Sequence, residues 1–183
     1  DDGVHDYVIV GAGAAGCVLA SRLTEDPDVS VLLLEAGAKG RKLEIRIPAA
    51  FSKLYRSSVD WCYDTVAQPA LDGREIVFPR GKALGGSTAI NAMMVLRGHP
   101  ADQAAWGVPG WGWDDVVPAY ERSRRSFPLE SPRDRSPLTD AFVDAAVAAG
   151  IARSADLNGA DTEGAGVVPL SQQGGREQMA FIG

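Results

Sequence analysis

The chain has 183 residues, of which 45% are hydrophobic and 23% are charged, values typical of soluble globular proteins. It carries 24 acidic and 18 basic residues, a net charge of −6, and has no long run of lysine or arginine. This charge balance argues against nucleic acid as a partner, because phosphate binding needs clustered basic side chains. The two cysteines, Cys17 and Cys62, are too few for a disulfide framework and lack metal-ligand spacing. We therefore expect no metal site.

No stretch reaches the ~20 consecutive apolar residues that span a bilayer, and no signal peptide stands at the start. We therefore predict a cytoplasmic protein without a membrane span.

The beginning of the chain predicts a strand, a helix and a second strand. Residues 6–10, DYVIV, form a short run rich in β-branched side chains, typical of a strand buried on both faces. Residues 14–23 place apolar side chains at helical spacing, and residues 29–35, VSVLLLE, repeat the pattern of a buried strand. This order and size indicate a βαβ unit with parallel strands.

A glycine motif joins the first strand to the helix. Gly11, Gly13 and Gly16 have the G-x-G-x-x-G spacing, which permits a tight turn, a close approach of a pyrophosphate and close packing of the helix on the sheet. The N–H groups of the first helical turn are then available to the phosphates. Glu35 ends the second strand, where a carboxylate accepts both hydroxyls of an adenosine ribose and repels the 2′-phosphate of NADP. The motif predicts an adenine dinucleotide and leaves FAD and NAD both open.

Weaker patterns follow. Residues 59–65 and 74–80 read as two strands separated by the turn ALDG. Helices are predicted at 102–106, at 110–127 with Pro118 in the first turn, and at 138–150, where Ser136 and Pro137 begin the helix and Gly150 ends it. No second βαβ unit appears downstream, so we expect the chain to be a piece of a larger protein.

A second glycine-rich stretch, RGKALGGSTAINAMMVLRG, begins at Arg80. Its glycines at 81, 85 and 86 leave backbone that can lie against a flat ligand. Ser87 and Thr88 offer hydroxyl donors, Asn91 an amide, Ala92 space, and Met93 and Met94 polarizable surface. The alternative is a glycine-rich loop that leads into a core helix, with methionines as core filling. A flavin site needs such a second loop, whereas an NAD site does not. We therefore predict that the two loops hold opposite ends of one FAD.

Three stretches together resemble the glucose–methanol–choline oxidoreductases, FAD-dependent enzymes that act mostly on alcohols. They are YVIVGAGAAGCVLASRLTED, VLLLEAG and, above all, PRGKALGGSTAINAMMVLRG, and the likeness covers the N-terminal third of a typical member. It implies an α/β fold with an incomplete doubly wound, Rossmann-like FAD-binding domain over residues 1–110. Residues 111–183 would begin an α+β substrate-binding domain.

The resemblance also implies roles for individual positions. The pyrophosphate would be held by Gly11, Gly13, Ala14, Ala15 and Gly16, and the adenosine ribose by Glu35 with Ala36 beside it. The ribityl and phosphate part would lie along Arg80, Gly81, Leu84, Gly85, Gly86 and Ser87. The flavin ring would lie near Asn91, Ala92, Met93 and Met94, with Ala92 next to the reactive nitrogen. Some relatives attach FAD through a histidine where this chain has Ile90, so we expect noncovalent FAD.

The family's catalytic histidine and the residue paired with it lie near the C-terminus and are absent from this chain, and His99 does not match either. No catalytic residue is therefore predicted here. The predicted function is oxidation of the CH–OH group of an alcohol by hydride transfer to FAD, with the remainder of the enzyme supplied as a C-terminal segment or a second chain. Two alternatives are a hydroxynitrile-lyase-type enzyme with a redox-silent FAD and a non-catalytic dinucleotide-binding module.

Overall fold

A computed structural model of the chain describes residues 3–40, 42–159, 162–174 and 176–177. The strands are Tyr7–Val10 (β1), Val31–Leu34 (β2), Tyr63–Asp64 (β3), Val77–Phe78 (β4), Gln172–Gln173 (β5) and Arg176–Glu177 (β6). The α-helices are Ala14–Leu23 (α1), Pro100–Ala105 (α2), Trp113–Ser126 (α3) and Pro137–Ala148 (α4). Short 3₁₀ helices cover Leu43–Arg46, Pro48–Lys53, Pro69–Leu71 and Gly86–Ala89. The described residues form two compact units that divide between Met93 and Met94, and β6 belongs to the first.

The first unit begins with the predicted βαβ arrangement, which is confirmed. β1 and β2 pair in parallel, from Tyr7 opposite Val31 to Val10 opposite Leu34. The predicted burial of both strands on both faces is wrong, since Val10 is 83% exposed and Val8 58%. The reason is that this sheet has only two strands within the described part of the chain.

The core of the first unit is formed by residues that follow the βαβ arrangement in the sequence. It consists of small and branched apolar side chains that are almost fully buried: Ile45, Leu54, Val59, Ala83, Ala89 and Ile90. The segment after β2 runs beside the second glycine stretch, with a parallel bridge between Ala38 and Ala83. A Cβ on Gly37 would lie 2.1 Å from the carbonyl of Lys82, so this close approach requires glycine. The core therefore fixes the second glycine stretch relative to the end of β2.

The hairpin predicted from residues 59–65 and 74–80 is present, but its strands are shorter than predicted. Regular antiparallel pairing is limited to Tyr63 with Phe78 and Asp64 with Val77. Cys62 has a left-handed backbone conformation, with φ of +57°, which interrupts the extended run before β3. A pattern of apolar residues contains no sign of such an interruption.

In the second unit, the predicted ends of α4 are confirmed. The Ser136 Oγ accepts the N–H of Leu138 at 3.3 Å, so Ser136 is the N-cap. Gly150 has φ of +95° and donates to the carbonyl of Val147, while Ile151 donates to the carbonyl of Ala146. This pair of bonds is the Schellman arrangement that ends helices at glycine.

Pro118 lies one turn deeper in α3 than predicted. The helix begins at Trp113, where the carboxylate of Asp115 accepts the N–H of Gly112 at 3.1 Å, so that Pro118 falls in the second turn rather than the first. Pro118 therefore stands inside the helix, where it cannot donate to the carbonyl four residues before it.

Asn158, a buried residue, links two parts of the second unit through hydrogen bonds of its side chain. Its side-chain oxygen accepts the N–H of Arg97 at 2.6 Å, and its side-chain nitrogen donates to the carbonyl of Val95 at 3.0 Å. The Arg97 guanidinium lies over the ring of Tyr120 and pairs with Glu121 at 2.9 Å. The segment that leaves the second glycine stretch is thus anchored within the second unit.

The two compact units divide between Met93 and Met94, which is earlier in the sequence than the predicted domain boundary between residues 110 and 111. That boundary separates cofactor binding from substrate binding, and it stays a prediction. Residues 178–183 of the predicted second domain lie outside the described residues. Among the helices that the structure describes, none is both long enough and apolar enough to cross a membrane.

Candidate cofactor-binding site

The first glycine turn joins the end of β1 to the start of α1. Gly11 has φ of +97° and donates to the carbonyl of Leu34 at 2.7 Å, which ties the ends of β1 and β2 together. The turn packs tightly, because a Cβ on Gly16 would lie 2.0 Å from the carbonyl oxygen of Gly11. The first turn of α1 contains no acidic residue, so its N–H groups and positive dipole end are suited to an anion.

The Glu35 carboxylate is already oriented by the backbone around it. Its Oε2 accepts the N–H of Ala12 at 2.9 Å, and its Oε1 accepts the N–H of Gly37 at 2.8 Å. A carboxylate has about four acceptor positions, so two remain for the hydroxyls of a ribose. The carboxylate therefore joins the glycine turn to the segment after β2 and keeps its capacity to bind a ligand.

The two glycine loops touch each other. The N–H of Gly85 donates to the carbonyl of Ala12 at 2.8 Å. Gly86 has φ of +56°, and a Cβ on it would lie 2.7 Å from the Cα of Gly13. The loops therefore meet at one point, because glycine permits two backbones to pack directly against each other. That the two loops hold opposite ends of one FAD stays a prediction.

The hydroxyls of Ser87 and Thr88 differ in whether their hydrogen is available to a ligand. The Ser87 Oγ accepts the N–H of Gly81 at 3.1 Å, and its own hydrogen stays available to a ligand. The Thr88 hydroxyl donates to the carbonyl of Gly85 at 2.6 Å, so its hydrogen is engaged within its own turn. Of the two predicted donors, Ser87 is therefore the one suited to a phosphate.

A cavity of about 1010 Å³ opens at the carboxyl end of the two parallel strands. Its volume lies at the upper end of the ~300–1,000 Å³ typical of small-molecule sites, which suits a ligand as large as a dinucleotide. It is lined by the predicted residues Gly11, Gly13, Glu35, Ala36, Arg80, Gly81, Gly86 and Ser87, together with Val10, Leu34, Trp61, Tyr63 and Phe78.

A second cavity of about 480 Å³ lies at the start of α1. It is lined by the predicted residues Gly11, Gly13, Ala14, Ala15, Gly16 and Ser87, together with Ile9, Val10, Leu19 and Thr88. The two cavities share Val10, Gly11, Gly13 and Ser87, so one ligand can extend along both.

The aromatic wall of the larger cavity, formed by Trp61, Tyr63 and Phe78, was missed by sequence reasoning. The rings of Trp61 and Tyr63 stack with centroids 5.9 Å apart. The Lys82 Nζ lies 4.5 Å from the Trp61 ring centroid, and the Arg80 guanidinium lies 3.7 Å from that of Phe78. Trp61 and Tyr63 alternate in the sequence, but the left-handed Cys62 between them takes Trp61 out of the extended run, so the rule that side chains two apart in a strand share a face does not predict this stack.

Six predicted residues do not line either of these cavities: Leu84, Gly85, Asn91, Ala92, Met93 and Met94. Met94 belongs to the second unit. The Asn91 side-chain oxygen accepts the N–H of Met93 at 2.7 Å, and Met93 is buried with φ of +62°. The amide of Asn91 therefore stabilises a bend in its own loop. The position of this loop beside a flavin ring stays a prediction.

Cys17 lies beneath the first glycine turn as a buried thiol. Its Sγ is 3.3 Å from the carbonyl oxygen of Ala12. Burial, together with the negative charge of Glu35, raises the pKa of the Cys17 thiol. The thiol therefore stays protonated and unreactive at neutral pH. No group of three or more histidine, cysteine, aspartate or glutamate side chains in the described ranges is placed to hold a metal.

Comparison with known proteins identifies the family. The sequence model described as GMC oxidoreductase matches residues 5–181. The chain belongs to the GMC oxidoreductase family. Its mixed fold is therefore that of the N-terminal, FAD-binding part of a GMC oxidoreductase.

Individual GMC oxidoreductases are similar over most of this chain. An uncharacterised GMC-type oxidoreductase of Mycobacterium tuberculosis is 45% identical over 82% of this chain and 32% of that protein. An alcohol dehydrogenase [acceptor] of Pseudomonas putida is 37% identical over 94% of this chain and 35% of its own length. The crystal structure of pyridoxine 4-oxidase from Mesorbium loti matches with a TM-score of 0.91 and 37% identity, over 97% of this chain and 38% of that chain. The chain spans about a third of the length of the curated relatives it matches.

Proposed function

We propose that this chain supplies the FAD-binding part of an enzyme that oxidises the CH–OH group of an alcohol. The observation that carries the proposal is the meeting of both glycine loops at Gly13 and Gly86, on a cavity that also contains Glu35. Family membership adds the cofactor, and the Pseudomonas putida relative, an alcohol dehydrogenase, adds the substrate class.

The residues at the cavity suit FAD. Glu35 would accept the hydroxyls of the adenosine ribose, because its carboxylate is held in place and keeps free acceptor positions. The start of α1 and the Ser87 hydroxyl would donate to the pyrophosphate. The bare backbone of Gly13 and Gly86 lets the two loops pack against each other beside that position, since a Cβ on Gly86 would lie 2.7 Å from the Cα of Gly13.

We further propose that FAD is held without a covalent bond. Ile90 stands where some relatives carry a linking histidine, and its side chain is 2% exposed within the apolar core. An isoleucine has no nucleophilic atom, so it cannot form such a link.

FAD, when bound, supplies the acceptor for a hydride from the carbinol carbon. In this proposal, the residues that line the two cavities bind and orient the cofactor. Neither of the two cavities is lined by a histidine, and the ring of His99 accepts the N–H of Ala101 at the start of α2. We propose that the base that takes the hydroxyl proton comes from the remainder of the enzyme.

The test uses the complete enzyme that contains this chain. We expect visible flavin absorbance, release of unmodified FAD into the supernatant on denaturation, and anaerobic bleaching of the absorbance by at least one member of an alcohol panel. Absence of flavin would contradict the proposed cofactor and favour a different dinucleotide-binding module. Flavin that no alcohol bleaches would favour a lyase, and flavin that stays with the denatured polypeptide would contradict noncovalent binding.

A further inference from the structure

Asp60 is a buried carboxylate beside the cavity that does not line it. It lies just before β3 and is 4% exposed. Its Oδ2 accepts the N–H of Arg56 at 2.8 Å, and its Oδ1 accepts the N–H groups of Arg80 at 3.0 Å and Cys62 at 3.1 Å. One side chain thus holds the backbone of its own stretch, residues 56–62, and joins that stretch to Arg80, twenty residues further along the chain.

Two of these three donors belong to residues in a left-handed conformation. Arg56 has φ of +56° and Cys62 has φ of +57°, a conformation that is unfavourable for a non-glycine residue. A hydrogen bond to a charged group is stronger than one between neutral groups and offsets that cost. Burial by itself would raise the pKa of the Asp60 carboxyl, but the N–H groups of Arg56, Arg80 and Cys62 outweigh it and hold the pKa below its ordinary value. The carboxylate is therefore charged at neutral pH, as this role requires.

The third donor connects Asp60 to the second glycine loop. Arg80 precedes Gly81, and a Cβ on Gly81 would lie 2.0 Å from the carbonyl oxygen of Gly86. The backbone beside Asp60 strengthens the link, because Trp61 donates to the carbonyl of Arg80 at 2.9 Å. The position of Asp60 therefore sets both where the aromatic wall begins and where the second glycine loop begins.

We propose that Asp60 is a positioning residue of the cofactor site. Its carboxylate holds Arg80 and Gly81 against the base of the β3–β4 hairpin, so that the second glycine loop meets the first at Gly86. This inference rests on the proposed binding of FAD, and it assigns to Asp60 a role without contact to the ligand.

The first experiment replaces Asp60 in the complete enzyme and measures the Kd for FAD by titration of the apoenzyme. Asp60→Ala removes all three acceptor bonds, and we expect it to raise the Kd at least tenfold. The matched control is Asp64→Ala, an exposed carboxylate on the same hairpin that pairs with the side chain of Arg56, and we expect its Kd within twofold of wild type. Equal Kd values for the two variants would overturn the proposal, whereas a wild-type enzyme that binds no FAD would overturn the proposed function instead.

A conservative variant separates positioning from stability. Asp60→Asn retains one side-chain oxygen, which can still accept from Arg80 and Cys62 while the bond from Arg56 is lost. We expect Asp60→Asn to lower the denaturation midpoint and yet to keep the Kd for FAD within about threefold of wild type. A Kd as high as that of Asp60→Ala would show that the bond to Arg80 is not responsible, and the proposal would fail.

A second ligand provides an independent readout. ADP can engage Glu35 and the first glycine turn, which Asp60 does not contact, so we expect Asp60→Ala to change the Kd for ADP less than twofold. An equal loss of ADP and FAD binding would indicate a general effect on folding and would contradict the inference. If Asp60→Ala does not fold, both ligands are measured in a Cys62→Gly background, because glycine adopts the left-handed conformation without the Cβ cost.

Discussion

Arg56, Cys62 and Met93 share an arrangement that decides the local shape of the first unit. Each has a left-handed backbone, and the N–H of each is accepted by a nearby side chain, Asp60 for the first two and Asn91 for the third. An aspartate or asparagine acceptor offsets the cost of a conformation that a non-glycine residue rarely adopts. Polar side chains with no contact to a ligand can therefore determine where the residues that line a cavity are held.

At the same scale, Gly86 provides a sharp test of the contact between the two loops. Gly86→Ala places a Cβ 2.7 Å from the Cα of Gly13 in a residue with φ of +56°. We expect the free energy of unfolding to fall by about 2–4 kcal/mol, from backbone strain and overpacking together. FAD binding should weaken in parallel. Denaturant unfolding and FAD titration of the complete enzyme measure the two effects.

Gly73→Ala is the matched control. Gly73 also has a positive φ, +74°, but a Cβ there meets nothing within 4 Å. We expect a loss of about 1 kcal/mol from strain alone and no change in FAD affinity. Equal losses in the two variants would mean that the approach of Gly13 and Gly86 has no energetic importance.

Elements with local signals could be predicted from the sequence, and elements that depend on distant contacts could not. The βαβ arrangement and the ends of α4 follow from residues close together, such as the glycines of the first turn and Ser136 with Gly150. The short β3 was not predictable, because Cys62 is left-handed only where a carboxylate accepts its N–H. The aromatic wall was not predictable either, because its side chains line the cavity only as a result of the hairpin and of the hydrogen bonds that Asp60 accepts.

An element-scale prediction concerns the anchor of the second unit. Asn158→Ala leaves the N–H of Arg97 and the carbonyl of Val95, both in partly buried hydrogen bonds, without their side-chain partner. Because each lost hydrogen bond contributes about 0.5–1.5 kcal/mol, we expect the free energy of unfolding to fall by about 1–3 kcal/mol. Urea denaturation of the complete enzyme checks this.

Gln68→Ala serves as the comparison for Asn158→Ala. It removes one exposed bond, from the Gln68 amide to the carbonyl of Val66, and we expect a change below about 0.5 kcal/mol. The flavin absorbance should be the same in both folded variants, since the residues that line the two cavities belong to the first unit. A stability loss in Asn158→Ala no larger than that in Gln68→Ala would contradict the role of Asn158 as an anchor.

At the scale of the whole molecule, the exposed side chains of the two-stranded β1–β2 sheet bear on the stability of the chain. Two strands alone are marginally stable, and independent stability needs three or more strands with a covered face. Val8 and Val10 are exposed on β1 although their residue types are typical of a buried strand. The sheet beside the candidate cofactor site therefore leaves apolar side chains that the remainder of the enzyme can cover.

This leads to a prediction for the chain by itself. We expect the isolated 183 residues to bind FAD weakly and to show no turnover with alcohols, while the complete enzyme does both. Equilibrium FAD titration and an anaerobic assay with an alcohol panel, run side by side on the two proteins, make the comparison. Saturable alcohol oxidation by the isolated chain would contradict the proposal that the base is supplied elsewhere.

The backbone contact between Gly13 and Gly86 also constrains the order of events during synthesis. The first glycine turn leaves the ribosome together with its strand and helix, but its partner emerges only after the hairpin has been made. Closing that long loop is an entropic cost that local structure cannot reduce, and contacts between residues distant in sequence form slowly. The nascent chain therefore passes through a stage in which the first glycine turn exists without its second loop, and the contact between Gly13 and Gly86 forms only after the second loop has left the ribosome.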